Sequence, residues 1–376
     1  MYRLAIDTAK PGMKIGQNIY SATGTLLLKK NIELTESLIK QLKQRQITSL
    51  YISSNFPYIN TPIPPPIIQE KTRLQAIATI KDSFYKCRLA PSAKLNTLVI
   101  HSIVNELICN ILASKELLVQ TTDIRQYDDY TFAHSINVAV LATMIGVLLN
   151  YNKKRLFELC WGAMVHDIGK TQIPIAILNK EAPLTKEEFE IIQSHSKIGF
   201  DMLRQNSGFS VVPMHVAFQH HEKFDGSGYP RRLTGNDIHE YARIVAIADV
   251  YDALTSDRAY KKACSPDIAY HIMTQKSKGH FDEQLLDLFF SNIAIYPIGS
   301  IVRLQLGYYG VVVEVHKGFT PQPLIRLIAD ENKDLFEHPA IIDLRDAEEK
   351  YQINYVLKGN ELINLFMHAH SEHLSS

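Results

Sequence analysis

Several side chains able to bind metal or phosphate fall where an apolar helix face is expected. His134 precedes Val138, Leu141, Ile145 and Leu148 by four, seven, eleven and fourteen residues, so its imidazole shares their helix face. His195 stands four residues after Ile191, three before Ile198 and seven before Met202, again on the apolar side. His166-Asp167 follows the apolar run from Leu156 to Val165 and precedes Ile168-Gly169-Lys170. His220-His221 closes the run from Pro213 to Gln219 and leads into EKFDGSGYP, while Asp249 and Asp252 sit in RIVAIADVYDAL. Singly, each signal is weak: a lone histidine such as His134 is usually a core residue satisfied by hydrogen bonds, and His166-Asp167 reads equally well as structure or as a site. As a set they imply several imidazoles and carboxylates buried on separate helices, each with a desolvation penalty unless a cation or donor compensates. A helical bundle with inward ligands resolves this with metal ions. Nitrogen and oxygen donors without thiolate suit iron, manganese, zinc or nickel. Six or seven ligands fit two ions sharing an aspartate, an arrangement used for phosphate-ester hydrolysis.

The elements that must position these residues are mainly helical. Residues 70–290 carry helical periodicity almost throughout, including Ser135 to Leu149, Ala242 to Leu254, and a single helix from Thr185 to Gln205 that opens with a Thr185/Glu188 capping box. Before them, residues 1–54 read as a small α+β module: strand-like runs at Ile15–Tyr20, Thr25–Leu28 and Ile47–Ile52 and a helix at Leu34–Gln44. Alone it is marginal in size, so it must dock on its neighbour. Residues 55–69 form a proline-rich spacer. The helical unit is placed at 70–293, with its core at 126–293. Residues 294–376 hold short β runs at Ser300–Leu306, Gly310–Val315, Leu324–Ile328 and Ala340–Leu344, read as a small barrel-like domain, and a last helix at Glu361–His370.

Composition excludes several classes. The 376 residues carry 40 basic and 39 acidic side chains, a net charge of +1, so no general affinity for DNA, RNA or anionic membranes is expected. The longest apolar run, Val138 to Leu149, is short for a membrane span. Met1 to Lys14 lacks the apolar core of a secretion signal, which makes a cytoplasmic location the expectation. Cys87, Cys109, Cys160 and Cys264 are far apart and read as buried hydrophobes in a reducing compartment.

The ordered motifs DDYTFAHSINVAVLA (128–142), HDIGK (166–170), LTKEEFEIIQSHSKIG (184–199), HHEKFDGSGYP (220–230) and RIVAIADVYDALTSDRAYKKA (243–263) resemble the HD-GYP family of cyclic di-GMP phosphohydrolases. The resemblance covers about half the chain, with Lys223 where the family usually has Arg. It implies a mainly α fold, an HD-type helical bundle between the small α+β module and the β extension, and a soluble signalling hydrolase. It implies that His134, His166, Asp167 and Asp249 hold one divalent ion and His195, His220 and His221 the second, with Asp167 bridging. Iron or manganese is favoured; zinc, nickel or magnesium would also fit. Tyr130 occupies the place of a glutamate that accompanies a third metal in some members, so two ions are expected. Catalysis is assigned to Asp167 and Lys170, acting with a metal-bridging hydroxide. Substrate contacts are assigned to Lys170, Tyr229, Asp252, Arg258 and Lys261. The product would be linear pGpG and then GMP. The partner is cyclic di-GMP, and homodimerisation or docking of signalling proteins is compatible with the chain. Two other readings keep the same residues: a weakly catalytic dinucleotide sensor or adaptor, and a hydrolase of cyclic GMP-AMP.

Overall fold

The computed structural model describes residues 1–20, 26–45, 47, 49–53, 66–114, 130–180, 182–205, 210–256, 263–358, 361, 362, 364 and 365. Its centre is α4 (Tyr130–Leu148), which is apolar around its circumference. By length and composition, Thr131–Leu148 could cross a membrane, but 78% of it is buried inside the molecule. It is a core helix, enclosed by α2 (Glu70–Leu89), α3 (Thr97–Ala113), α5 (Lys153–Val165), α10 (Glu240–Thr255) and α12 (Glu283–Phe290). Burial on all sides removes the need for a polar face.

Side-chain caps set several helix starts. The Asn152 side chain accepts from Arg155 N at the head of α5, and the Asp282 carboxylate accepts from Gln284 N and Leu285 N at the head of α12. Between them lie α6 (Ile175–Leu178), α7 (Lys186–Gln193), α8 (His195–Arg204) and α9 (Val212–Gln219), with α11 (Pro266–His271) before α12. The Thr185/Glu188 capping box is present. The helix expected to run unbroken from Thr185 to Gln205 is instead divided at Ser194, so that His195 opens α8.

The N-terminal unit pairs β1 (Tyr2–Ala5) and β2 (Lys14–Ile15) with β5 (Ser49–Ser53) in an antiparallel sheet, with β3 (Ile19–Tyr20) against β4 (Leu26–Leu28), and α1 (Glu36–Gln44) alongside. The C-terminal unit is a five-stranded antiparallel sheet in the order β10-β6-β7-β8-β9, from β6 (Ile301–Leu304), β7 (Tyr309–Glu314), β8 (Leu324–Ala329), β9 (Ile341–Asp343) and β10 (Ile353–Val356). Among the described residues β9 and β10 are edges that do not pair, so the barrel-like closure expected from sequence is not seen. Strand alternation explains how an open sheet stays buried. Tyr309 and Val311 face one core, while Val302, Leu304, Val312, Ile325 and Leu327 face another.

The first of those cores is shared. Leu4, Ile15, Leu34, Leu42, Leu50 and Ile52 of the N-terminal unit pack with Ile301, Tyr309, Val311 and Ile328 of the C-terminal sheet. The N-terminal unit therefore docks on the far end of the chain, covering a sheet face that would otherwise be wet. Of the cysteines, Cys87 and Cys160 are buried and Cys264 is half-buried, but Cys109 is exposed, against the expectation of four buried thiols.

Ile52 is 1% exposed within this shared core. Ile52→Ala should lower the unfolding free energy of the core by about 2–5 kcal/mol in denaturant titration. Limited proteolysis should then cut the C-terminal sheet as well as residues 1–53, whereas a loss confined to residues 1–53 would contradict a shared core.

Candidate metal centre

Three of the candidate histidines are aimed by one local device. A helix end leaves carbonyls without partners, and a histidine just past the last turn can donate its Nδ1–H to one of them. His166, after α5, has Nδ1 2.7 Å from Ala163 O. His195, after α7, has Nδ1 2.5 Å from Ile192 O. His220, after α9, has Nδ1 3.0 Å from Ala217 O. Each carbonyl lies three residues back, and each can only accept. The proton is thus held on Nδ1, and every Nε2 is left as a lone pair pointing inward.

His134 lies inside α4, where the helix uses its own carbonyls, and its support comes from elsewhere. Its Nδ1 is 2.7 Å from Asp252 Oδ2, and its Nε2 is 3.1 Å from Asp249 Oδ1. Asp167 stands at the centre. Its Oδ2 faces His166 Nε2 at 3.4 Å and His134 Nε2 at 3.9 Å, while its Oδ1 faces His195 Nε2 at 3.5 Å and His220 Nε2 at 3.7 Å. The two oxygens of one carboxylate thus address two groups of imidazoles. His221 joins the second group, its ring 4.0 Å from that of His220 and 5.0 Å from that of His195.

The donor set fits divalent cations. His195 Nε2 and His220 Nε2 are 3.4 Å apart, and with both protons on Nδ1 they cannot hydrogen-bond to each other. Two lone pairs so placed repel unless positive charge lies between them. His166 Nε2 and Asp167 Oδ1 are buried without a hydrogen-bond partner among the described residues. Ligand atoms within 4.8 Å of one another come from Asp167, His195, His220 and His221; from His134, His166 and Asp167; and from His166, His220 and Asp249.

Backbone close to the site is equally constrained. A Cβ on Gly169 would lie 2.0 Å from His195 O and 2.6 Å from Gly199 N, so only glycine lets the turn after Asp167 approach α8. Glu222, which sequence reading passed over, is buried and accepts from Arg231 N at 2.7 Å and Leu233 N at 3.0 Å. It ties the loop after His221 back to the helix end. A buried acid immediately after the histidine pair is the only sequence signal for this role.

The remaining expected residues separate. Lys170 Nζ is 2.5 Å from Asp167 Oδ2 with its side chain 29% exposed, so it stands at the rim. Tyr229 stacks on His221 at 4.8 Å and meets the exposed ring of Phe189 edge-on. Asp252 does not fit the expected substrate contact: it is fully buried, bonded to His134, to Asn137 Nδ2 at 2.9 Å and to Ser256 Oγ at 3.1 Å. It supports His134 from behind. Lys223 reaches His280 Nε2 at 3.5 Å. Arg258 and Lys261 lie outside the described residues, as does the Tyr130 side chain.

Electrostatics divide the cluster. Burial opposes charge on His134, but its hydrogen bonds with Asp249 and Asp252 outweigh this and push it up to about 9. Burial holds His195 down to about 3 and pushes His220 and His221 down as well. Asp167 and Asp249 are held well below the usual carboxylate range: burial works against this, but the charge of Lys170 overcomes it at Asp167, and the hydrogen bond with His134 at Asp249.

A family profile described as HD domain matches residues 106–285, and one described as KOW domain associated with HD domain matches residues 301–365. A cyclic di-GMP phosphodiesterase of Pseudomonas aeruginosa is 32% identical over 279 residues, covering 74% of this chain and 67% of the relative. A 3′3′-cGAMP-specific phosphodiesterase of Vibrio cholerae is 36% identical over 178 residues, covering 46% of this chain and 34% of the relative. A solved HDGYP protein of Bdellovibrio bacteriovorus is 16% identical, with a TM-score of 0.45, covering 76% of this chain and 96% of that one.

The raised pKa of His134 makes cation uptake compete with a proton. Below about pH 9 the metal-free imidazole is protonated, and a cation taking Nε2 must displace that proton. Uptake at pH 7 should therefore release about one proton per chain, and affinity should fall about tenfold per unit as pH decreases. Calorimetry in buffers of different ionisation enthalpy measures this. His195, His220 and His221 are already neutral there and add nothing to the slope.

Proposed function

Because the chain belongs to the HD-GYP family of HD domain proteins, we propose that it is a metal-dependent phosphodiesterase that hydrolyses cyclic di-GMP to linear pGpG, and onward to GMP. The observation that carries this reading is Asp167, whose two oxygens face two separate groups of inward histidine lone pairs. His134, His166, Asp167 and Asp249 would hold one ion, and Asp167, His195, His220 and His221 the other. All are nitrogen or oxygen donors, which suits iron or manganese. Divalent ions held there supply positive charge that favours ionised water and stabilises a phosphoryl group as it is attacked.

The chain's own residues do the rest. Low pKa values keep Asp167 and Asp249 ionised and His195, His220 and His221 neutral at pH 7, the states in which each offers a lone pair. Lys170 Nζ, at the rim beside Asp167, places a cation where a phosphoryl oxygen would gain charge. Tyr229 covers His221 with an aromatic face, and burial together with the charges of Asp167 and Asp249 keeps its phenol protonated. It forms an apolar wall suited to a ribose or base rather than a proton acceptor. Arg258 and Lys261 would take the second phosphate or a guanine.

A relative specific for 3′3′-cGAMP matches this chain at 36% identity over 178 residues, against 32% over 279 residues for the cyclic di-GMP relative, so cyclic GMP-AMP is the competing substrate. Competition kinetics with both dinucleotides on anaerobically purified, metal-analysed protein should give the higher kcat/KM for cyclic di-GMP, with about two ions per chain. His166→Ala with Asp167→Ala should reduce hydrolysis to background while the helical circular dichroism persists. Undiminished turnover by that pure double variant would overturn the assignment, and tight cyclic di-GMP binding with no turnover by the loaded wild-type chain would make it a sensor. Lys170→Ala should lower kcat about 100-fold without loss of bound metal.

A further inference from the structure

Arg73 is the most deeply buried cation of the described residues, 1% exposed. It lies on α2, ahead of the segment 106–285 that matches the HD domain. Its Nη1 is 2.7 Å from Asn137 Oδ1, and Asn137 Nδ2 is 2.9 Å from Asp252 Oδ1. Asp252 Oδ2 is in turn 2.7 Å from His134 Nδ1. Every link is buried, and each has only one chemically allowed direction. A guanidinium only donates, so the Asn137 amide must turn its oxygen to Arg73 and its NH2 to Asp252. A carboxylate only accepts, so His134 must carry its proton on Nδ1. The remaining nitrogen, Nε2, is left facing Asp249 and Asp167.

The same helix has a second foothold. Cys87 O accepts from Gln172 Nε2 at 2.8 Å, and Gln172 ends the turn that carries Lys170. Between the two contacts Phe84 packs edge-on against Phe132 of α4. Helix α2 thus braces both the first histidine of the cluster and the turn after the central aspartate.

We infer that Arg73 is a positioning residue for the metal centre: through Asn137 and Asp252 it fixes the tautomer and aim of His134, which makes cation affinity depend on the seating of α2. The inference rests on the metal-binding reading above. It concerns a residue outside the HD domain match, on the helix that follows the N-terminal unit and the proline-rich stretch. Partners of a ligating histidine commonly change metal affinity by about 10- to 100-fold when removed.

The test uses the full chain stripped of metal and titrated with Mn2+ alone, by calorimetry, with no dinucleotide present. Arg73→Met should weaken one binding event by about 10- to 100-fold and leave the event at His195, His220 and His221 unchanged. Arg73→Lys should restore part of the loss. Asn137→Ser breaks the same relay without leaving an apolar side chain beside Asp252, and it serves if Arg73→Met fails to fold. The double variant should lose no more than the worse single variant, because both substitutions cut one chain of bonds. Wild-type Mn2+ affinity in a folded Arg73→Met or Asn137→Ser chain, or strictly additive losses, overturns the inference while leaving the metal centre standing. Absence of Mn2+ binding by the wild-type chain overturns the metal centre itself, and the relay with it.

Discussion

The structure depends on keeping several imidazole lone pairs aimed at one small volume. Lone pairs do not attract one another, so a folded chain left to side-chain preference would rotate these rings apart or protonate them. Here rotation is prevented from outside. Ala163, Ile192 and Ala217 each offer a helix-terminal carbonyl to the Nδ1–H of the histidine three residues on. At Ala163 and Ala217 the carbonyl would otherwise need water, so one hydrogen bond satisfies the backbone and orients a candidate ligand. Burial then disfavours the charged form of His195, His220 and His221, preserving their lone pairs at neutral pH.

This requirement explains where the helices stop. Helix α5 ends immediately before His166, α7 ends two residues before His195, and α9 ends immediately before His220. The break at Ser194 puts His195 at the start of α8, with its Nδ1 against the Ile192 carbonyl. The approach of the Asp167 turn to α8 then needs a residue without a side chain, which Gly169 supplies. His134 is the exception that shows the rule. It sits in the second turn of α4, away from any helix end, and so it takes its anchor from a carboxylate on α10. That carboxylate, buried and polar, needs further donors of its own, which Asn137 and Ser256 provide.

The flanking units are organised by a different force. The C-terminal sheet presents apolar side chains on both faces, and its open edges leave neither face enclosed by strands alone. The N-terminal unit covers one face and is covered in return, which solves the problem of a small module with little core of its own. Helix α2 continues the chain into the hydrolase core, where its buried arginine meets Asn137. The N-terminal third of the chain therefore touches both the distant β unit and residues that stand behind the candidate metal ligands.

The sequence by itself determined the local and periodic features. Helical spacing placed α4, α5, α9 and α10, apolar runs between turn residues placed the strands other than β1 and β10, and the Thr185/Glu188 pair marked a helix start. The ordered histidine and aspartate motifs marked the candidate ligands and named the family. These are legible because they depend on neighbours a few residues away, or on motifs that recur as units. Tertiary structure alone decided what depends on direction and on contacts across many residues. Asp249 and Asp252 share α10, and periodicity puts both near the core, but only their positions around His134 make one a ligand candidate and the other its support. Arg73 and Asn137 are separated by 64 residues, and Arg73 belongs to no motif. The partner of the N-terminal unit lay at the opposite end of the chain, not beside it. The physical reason is that hydrogen bonds between side chains are directional and apolar burial is not: pattern reveals which residues must be buried, but only the fold fixes which way their polar atoms point.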